Sequence, residues 1–412
     1  MQTLKKILYL LNSQERKRAV LLLLMIIIMA LIDMIGVASI LPFMAVLANP
    51  DVIETNNVLN KIFQFSKIFG VENNQQFLFI LGIFVFGWLV FSLSFKALTT
   101  YVQVRFIQMR QYSIGKRLVE GYLHQPYDWF LSHHSADLGK TILSEVSQIV
   151  GSGISPLINL IASGMVTIAI IILLIITDPK LAIMVSLSLG VAYGITYYLT
   201  RNYLNKIGSQ SLKNNQLRFT AVIEAFSAAK EIKLGGLEQT YINRFSGPAQ
   251  IFARSAASAT VIRQLPRFIL EAIAFGGIML VILYLMSLKG SFNNALPIIS
   301  LYAFAGYRLM PALQQIYGSL TQLSFVGPSL EKLYNDIKNL KSVNSNENQE
   351  VLTLKEKITL REVDYNYPNA SKTALKNINI NIPAKSTVGI IGATGCGKTT
   401  TVDIILGLLE AQ

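Results

Sequence analysis

The sequence predicts an α-helical membrane domain, six transmembrane helices with long cytoplasmic extensions, followed by the N-terminal part of an α/β domain of the phosphate-loop type. Three observations predict it. Only 14% of the 412 residues are Asp, Glu, Lys or Arg and 52% are hydrophobic, where a soluble chain averages roughly 25% charged; a chain this apolar finds its solvent in lipid. Long apolar runs recur six times, and the connections between them alternate in basic content. After Glu350 the patterning turns strand-like and leads into a glycine-rich loop.

At the start, residues 1–18 carry Lys5, Lys6, Arg16, Lys17 and Arg18, with Leu4, Ile7, Leu8 and Leu11 on one helical face. This fits a short helix lying in the membrane interface, and fits an ordinary amphipathic cap equally well. It is not expected to be a cleaved signal, because the apolar run that follows is too long and has no small-residue cleavage site. Spans of about 20 residues or more follow at Ala19–Ala48, Gln76–Tyr101, Gly153–Thr177, Leu181–Thr200, Phe268–Leu288 and Asn294–Leu320. Thr177-Asp178-Pro179-Lys180 makes spans three and four a tight hairpin. Residues 19–330 thus form one membrane domain.

Lysine and arginine placement sets orientation. Five basic residues precede span one; Arg105, Arg110, Lys116, Arg117 and Lys140 lie between spans two and three; nine, from Arg201 to Arg263, lie between spans four and five. The other connections hold only Lys61 and Lys67, then Lys180, then Lys289. Both termini are therefore expected in the cytoplasm. The net charge of +13 reports this topology, and no nucleic-acid partner is expected. A single cysteine, Cys396, excludes an internal disulfide framework.

The two basic connections, 101–152 and 201–265, are too long for unstructured loops. Ser209 to Leu234 contains no Gly or Pro, and Leu212, Leu217, Val222, Phe226 and Ile232 recur at helical spacings. Both read as helix–turn–helix arms reaching some 40 Å into the cytoplasm, with turns expected near Tyr127–Ser135 and Arg218–Ala225.

Beyond span six, Glu331–Lys341 reads as a charged helical exit and Ser342–Glu350 as polar, non-periodic chain, so 331–350 is a linker and 351–412 a second domain. Lys357–Tyr367 and Ile378–Ile382 alternate as strands, and Thr387–Ile391 reads as a short buried strand. It runs into Gly392-Ala393-Thr394-Gly395-Cys396-Gly397-Lys398-Thr399, the phosphate-loop pattern. Glycines let successive N–H groups face phosphate oxygens, and a helix from about Gly397 to Leu409 adds its positive end. Lys398 suits the β- and γ-phosphates of ATP, and the Thr399 hydroxyl suits Mg²⁺. The domain is thus the beginning of a P-loop nucleotide-binding domain.

Other residues keep two readings. Cys396 is either a thiol made reactive by the helix end or the filler of a variable loop position. Tyr367 either stacks on an adenine ring or packs within its strand. Asp33, Lys96, Glu271 and Arg308 lie in or near spans, where charge is costly and tends to face a cavity or a partner. Arg308, with Lys96, either attracts an anionic head group, or Arg308 pairs with Glu271 while Lys96 snorkels to the surface.

Six spans, two long arms and a phosphate loop after the last span together resemble an ABC exporter half-transporter. That resemblance implies coupling helices at the arm tips, resting on nucleotide-binding domains. It implies an adenine-stacking role for Tyr367 and a Walker A role for Gly392 to Thr399, with Thr400 completing the nucleotide set. It also implies a second copy of the chain as partner, a bacterial inner membrane as location, and export of a lipid or lipid-linked substrate. The runs Tyr307-Arg308-Leu309-Met310-Pro311, Leu265-Pro266-Arg267 leading to Glu271, and Val402-Asp403-Ile404-Ile405-Leu406-Gly407-Leu408-Leu409 are similar to those of PglK-like flippases, which move lipid-linked oligosaccharides in bacterial protein glycosylation. Exporters of drugs, lipids or peptides share the same architecture. The family's glutamine loop, signature motif, Walker B carboxylates and switch histidine have no counterpart between Thr400 and Gln412, and His124, His133 and His134 all lie in the first arm. The chain as given is therefore expected to hold no catalytic residue and not to hydrolyse ATP at a transporter-like rate. A non-hydrolysing ATP-binding membrane subunit is the alternative reading.

Overall fold

The computed structural model describes residues 2–67, 71, 73–133, 135–289, 292–340, 353–367 and 373–411. The chain divides into two compact units, Met1–Ile114 with Ser144–Tyr334, and Gly115–Leu143 with Asn335–Gln412. The expected linker segment 342–350 lies outside the described residues.

The larger unit is helical. Its elements begin with α1 (Gln2–Leu10), α2 (Ser13–Ala38), α3 (Ile40–Ala48), α4 (Val52–Thr55), α5 (Asn57–Lys67) and α6 (Asn74–Leu123), the last of which runs on into the smaller unit. After the tip of the first arm come α9 (Val146–Ile149), α10 (Ser155–Thr177), α11 (Pro179–Ser227), α12 (Ala229–Gly235), α13 (Glu238–Lys289) and α14 (Phe292–Asn339). Two π-helical segments, Thr141–Glu145 and Val150–Ile154, flank α9. Among the described residues, Ser13–Ala48, Asn74–Leu123 and Asp137–Thr177 are long and apolar enough to cross a membrane. The other three expected spans fall on α11, α13 and α14.

Local chemistry explains several boundaries. The backbone N–H of Asn12 donates to Glu15 Oε2 at 2.9 Å, part of a capping box that separates α1 from α2. The tight turn between α10 and α11 is fixed by Asp178, whose carboxylate accepts from Leu181 N at 3.2 Å with Pro179 in the first turn. Helix α1 does not rest on lipid alone. Ile7 and Leu10 are buried, Tyr9 packs edge-on to Tyr334 at 5.0 Å, and Lys6 pairs with Glu331.

The interior of this unit joins four helices. Met29, Ala30 and Val37 of α2 meet Val166, Ile170 and Leu174 of α10, Leu181 and Ala182 of α11, and Leu301, Ala305 and Leu309 of α14. Outward positions are just as apolar: Phe79, Phe84, Phe86, Ile176 and Leu187 are all exposed. A helix apolar on its exposed side needs lipid around it. Where α11 meets α14 only glycine fits, since a Cβ on Gly208 would fall onto the Phe325 carbonyl oxygen.

The first arm turns where expected, through α7 (Tyr127–Leu131) into α8 (Ser135–Lys140). The second does not turn at Arg218–Ala225. Helix α11 continues through Ser227, and the chain turns around α12, with Gly236 at φ 62° closing that helix. Nothing in Arg218–Ala225 disfavours a helix, whereas Gly236 adopts the left-handed conformation that ends one without strain.

In the smaller unit, β1 (Lys357–Tyr365) pairs antiparallel with β2 (Leu375–Pro383), with bulged register near Glu362 and Asn377, both at φ 51°. The segment Thr387–Ile391 is not a strand. It has no ladder partner among the described residues, and Ile391 is 94% exposed; a strand exists only through bonds to a neighbour. Helix α15 (Lys398–Ile405) ends four residues short of Leu409. Gly407, at φ 71°, forms a Schellman cap there: its N–H bonds Ile404 O at 3.0 Å and Leu408 N–H bonds Asp403 O at 2.9 Å. Leu409 folds back into a small core with Tyr365 and Leu375.

Candidate functional site

The phosphate loop is shaped by its glycines. Gly395 and Gly397 adopt φ 85° and 91°, conformations that side-chain-bearing residues rarely tolerate. At Gly397 a Cβ would also lie 2.5 Å from Leu375 Cδ2 and 2.9 Å from Ala374 O, so the loop lies against the start of β2. At Gly392 a Cβ would approach Cys396 Sγ to 2.7 Å. Lys398 is the N-terminal residue of α15, and its ammonium donates to the carbonyls of Gly392 and Ala393, both at 2.8 Å. Cys396 Sγ is 3.8 Å from the same nitrogen, and the thiol is exposed.

The structure gathers the sequence-predicted nucleotide residues into one place. Gly392, Ala393, Thr394, Gly395 and Thr399 are exposed around the loop, and Thr400 is buried beneath it. Thr401 Oγ1 donates to Gly397 O at 3.0 Å, tying the loop to the helix. Tyr367 joins the set through its hydroxyl, 2.9 Å from Thr400 Oγ1, and its ring stands edge-on to Tyr365 at 5.1 Å. Main-chain N–H groups, one ammonium and hydroxyls, with no carboxylate from Gly392 to Thr400, are the donor set that a polyphosphate and its Mg²⁺ need. The residues fit ATP.

The arm tip belongs to the same unit. Tyr122 stacks on Trp129 at 5.5 Å, and Trp129 on His133 at 3.9 Å. Burial raises the Tyr365 phenol above its ordinary value, helped by Tyr367 and by the negative charges of Asp128, on α7, and Asp403. The tip is thus close enough to the β1–β2 hairpin to act on it electrostatically.

The membrane charges separate. Arg308 Nη1 lies 2.9 Å from Asp33 Oδ1, which also accepts from Ser92 Oγ at 3.0 Å, so α14, α2 and α6 meet in a buried polar knot. Glu271 is half-buried on α13, and Lys96 is exposed on α6. None of the three lines the cavity of about 460 Å³ enclosed by α10, α11, α13 and α14. Its polar residues went unremarked in the sequence, although Pro311, Gln314, Gln315, Gly318 and Gln322 mark one face of α14 at helical spacing.

A helical, outwardly apolar domain with a phosphate loop near the end of the chain is the arrangement that the comparisons with known proteins also find. The ABC transporter transmembrane region matches residues 55–311 and the ABC transporter nucleotide domain matches residues 375–412. The chain belongs to the ABC transporter family. It is 23% identical over 305 residues to an ATP-dependent lipid A-core flippase of Wigglesworthia glossinidia brevipalpis, covering 73% of this chain and 51% of that one. It is 28% identical over 282 residues to the heterocyst differentiation ATP-binding protein HepA of a Nostoc species, covering 67% of this chain and 45% of that one. The structure of a bacterial Atm1-family ABC exporter with ATP bound matches at a TM-score of 0.72 and 13% identity, over 97% of this chain and 67% of that one. That match shows the fold. The chain spans about half the length of the curated relatives it matches.

Proposed function

We propose that this chain is the membrane-spanning and ATP-gripping part of an exporter that moves a lipid-like substrate outward across a bacterial inner membrane. It would work as two copies, with both termini cytoplasmic. The observation that carries the reading is the Lys398 ammonium poised over the Gly392–Cys396 loop, in a chain whose other unit is helical and apolar on its outer surface. Gly392 to Thr400 would hold the phosphates, Lys398 by charge and Thr399 by its hydroxyl on Mg²⁺, and Tyr367 would flank the base. Bound ATP supplies the phosphoryl group whose binding and loss drive such transporters. Similarity to lipid A-core flippases supports a lipid-like substrate. The runs around Arg308, Glu271 and Asp403 support the narrower reading, a lipid-linked oligosaccharide. An exporter of apolar drugs calls for an apolar cavity, and the carboxamides around this one argue against it.

The purified chain in nanodiscs should bind a fluorescent ATP analogue saturably and with Mg²⁺ dependence. Lys398→Ala should weaken that binding at least tenfold with an unchanged unfolding profile. Equal binding by both proteins would overturn the reading. Flipping in proteoliposomes of a tagged lipid-linked oligosaccharide, against the same lipid without sugar, separates the narrow substrate from the broad one.

A further inference from the structure

Between the first arm and the third span the chain leaves α-helical winding twice. Thr141–Glu145 and Val150–Ile154 are π-helical, separated only by the single turn of α9. The π-helix is rare, appears mostly as isolated turns inside α-helices, and is frequent at functional sites. Two such turns in close succession need something to hold them.

Packing supplies part of the hold. Buried residues here come in doublets four positions apart, Glu145-Val146, Ile149-Val150 and Gly153-Ile154. In an α-helix, positions four apart drift by about 40° around the axis, so the stripe would twist away from the face that it buries. Wider π turns take up that drift. Polar bonds supply the rest, and each runs to a neighbouring helix. Lys332 Nζ on α14 donates at 3.3 Å to Oε1 of Glu145, whose side chain is wholly buried. Gln322 Nε2, also on α14, donates to Ser152 Oγ at 3.2 Å. Asn215 Nδ2 on α11 donates to Ser144 Oγ at 3.5 Å. Both π segments are therefore pinned to α14.

Their place in the chain gives the pins a consequence. Thr141–Glu145 spans the point at which the chain passes from the smaller unit to the larger, and α14 makes the opposite passage after Tyr334. Glu145 and Lys332, both in the larger unit, thus tie together two of the segments that connect the units. Space does not require glycine inside the second π turn. A Cβ on Gly151 would meet nothing within 4 Å, and one on Gly153 would make ordinary contact, 3.6 Å from Val326 Cγ1. Glycine is, after proline, the residue that least favours regular α-winding. Packed elements of this kind switch between discrete arrangements, and small shifts at their contacts are amplified.

We propose that residues 141–154 form a two-state joint, π-wound while Lys332 and Gln322 hold Glu145 and Ser152, and α-wound once a shift of α14 releases them. Rewinding changes the number of residues per turn, so movement of α14 becomes rotation of the helix that leads back from the first arm. The joint stands whatever the chain transports.

The test reads backbone hydrogen exchange of the whole chain in nanodiscs, comparing residues 141–154 with residues 162–174 inside α10. Glu145→Gln, Lys332→Met and Ser152→Ala together remove both pins without stranding a buried charge. The freed segment should rewind into regular helix continuous with α10, open less readily and exchange about tenfold more slowly, with 162–174 unchanged. Pins that merely brace a fixed helix predict the reverse, faster exchange on their removal. Lys332→Arg keeps the charge and should exchange as the unmodified protein does. Gly151→Ala with Gly153→Ala favours α-winding by about fivefold at each position. It should slow the segment when the pins are present and add little once they are gone, because the winding has then already changed. Ser152→Ala alone should slow exchange about threefold and takes the place of the triple variant if that does not fold. Faster or unchanged exchange on loss of the pins, or an alanine effect of equal size with and without them, would overturn the proposal.

Discussion

The Tyr367 hydroxyl lies 2.9 Å from Thr400 Oγ1, so the aromatic residue that follows β1 is bonded to the helix that follows the phosphate loop. These residues are separated by 33 positions in sequence. The bond holds the loop against the hairpin from one side, while Gly397 packs on Leu375 from the other. Tyr367→Phe should therefore cost about 1 kcal/mol of stability, the ordinary worth of a partly buried hydrogen bond. Tyr367→Ala should cost more and also weaken the ATP analogue. Thermal unfolding with analogue titration checks both; a Phe variant as weak in analogue binding as the Ala variant would show that the ring itself contributes nothing.

Gly395 and Gly397 both have positive φ, but only Gly397 is crowded. Gly395→Ala should cost about 1 kcal/mol, the conformational term alone. Gly397→Ala should cost more, roughly 2–4 kcal/mol, because backbone strain and overpacking against Ala374 O and Leu375 Cδ2 add. Equal losses on denaturation would refute the crowding.

The Asp33–Arg308 pair is desolvated, with Asp33 3% exposed. Asp33→Asn should destabilise the protein by about 3–5 kcal/mol, because it leaves a buried guanidinium uncompensated. The double variant Asp33→Asn, Arg308→Gln should recover much of that loss. Unfolding in detergent around the double-mutant cycle would measure the coupling, and additive losses would mean that the pair is not coupled.

Glu15 offers a pH test. Burial pushes its carboxyl up, but hydrogen bonds from Ser113 and the Asn12 N–H and the charge of Arg110 outweigh it, leaving the group below its ordinary 4.5. A depressed folded value means that its stabilisation is present above 4.5 and is lost as pH falls through the folded value. Unfolding temperature should decline below about pH 4.5, and Glu15→Gln should flatten that decline while lowering stability at neutral pH. An unchanged acid limb in the variant would remove Glu15 from the account.

The shift of the second arm's turn shows where reading in one dimension reached its limit. Helical periodicity runs unbroken from Ser209 to Leu234, so nothing local marks a turn at Arg218–Ala225, and the chain turns instead around α12, which Gly236 closes. The reverse holds for Thr387–Ile391. Its apolar run read as a strand, but strand formation needs a neighbour, and among the described residues none pairs with it.

The sequence by itself determined the lipid-solvated helical class, the turn at Asp178-Pro179 and the phosphate loop. Each is local: run length, a cap, and glycines spaced around a lysine act within a few residues. Only the tertiary structure decided that Arg308 belongs to Asp33, that Tyr367 reaches Thr400, and that carboxamides scattered from Asn159 to Gln322 surround one cavity. Those relations depend on how long helices rotate and cross. Hydrophobic periodicity fixes which face of a helix is apolar, and packing alone fixes which polar side chains those faces bring together.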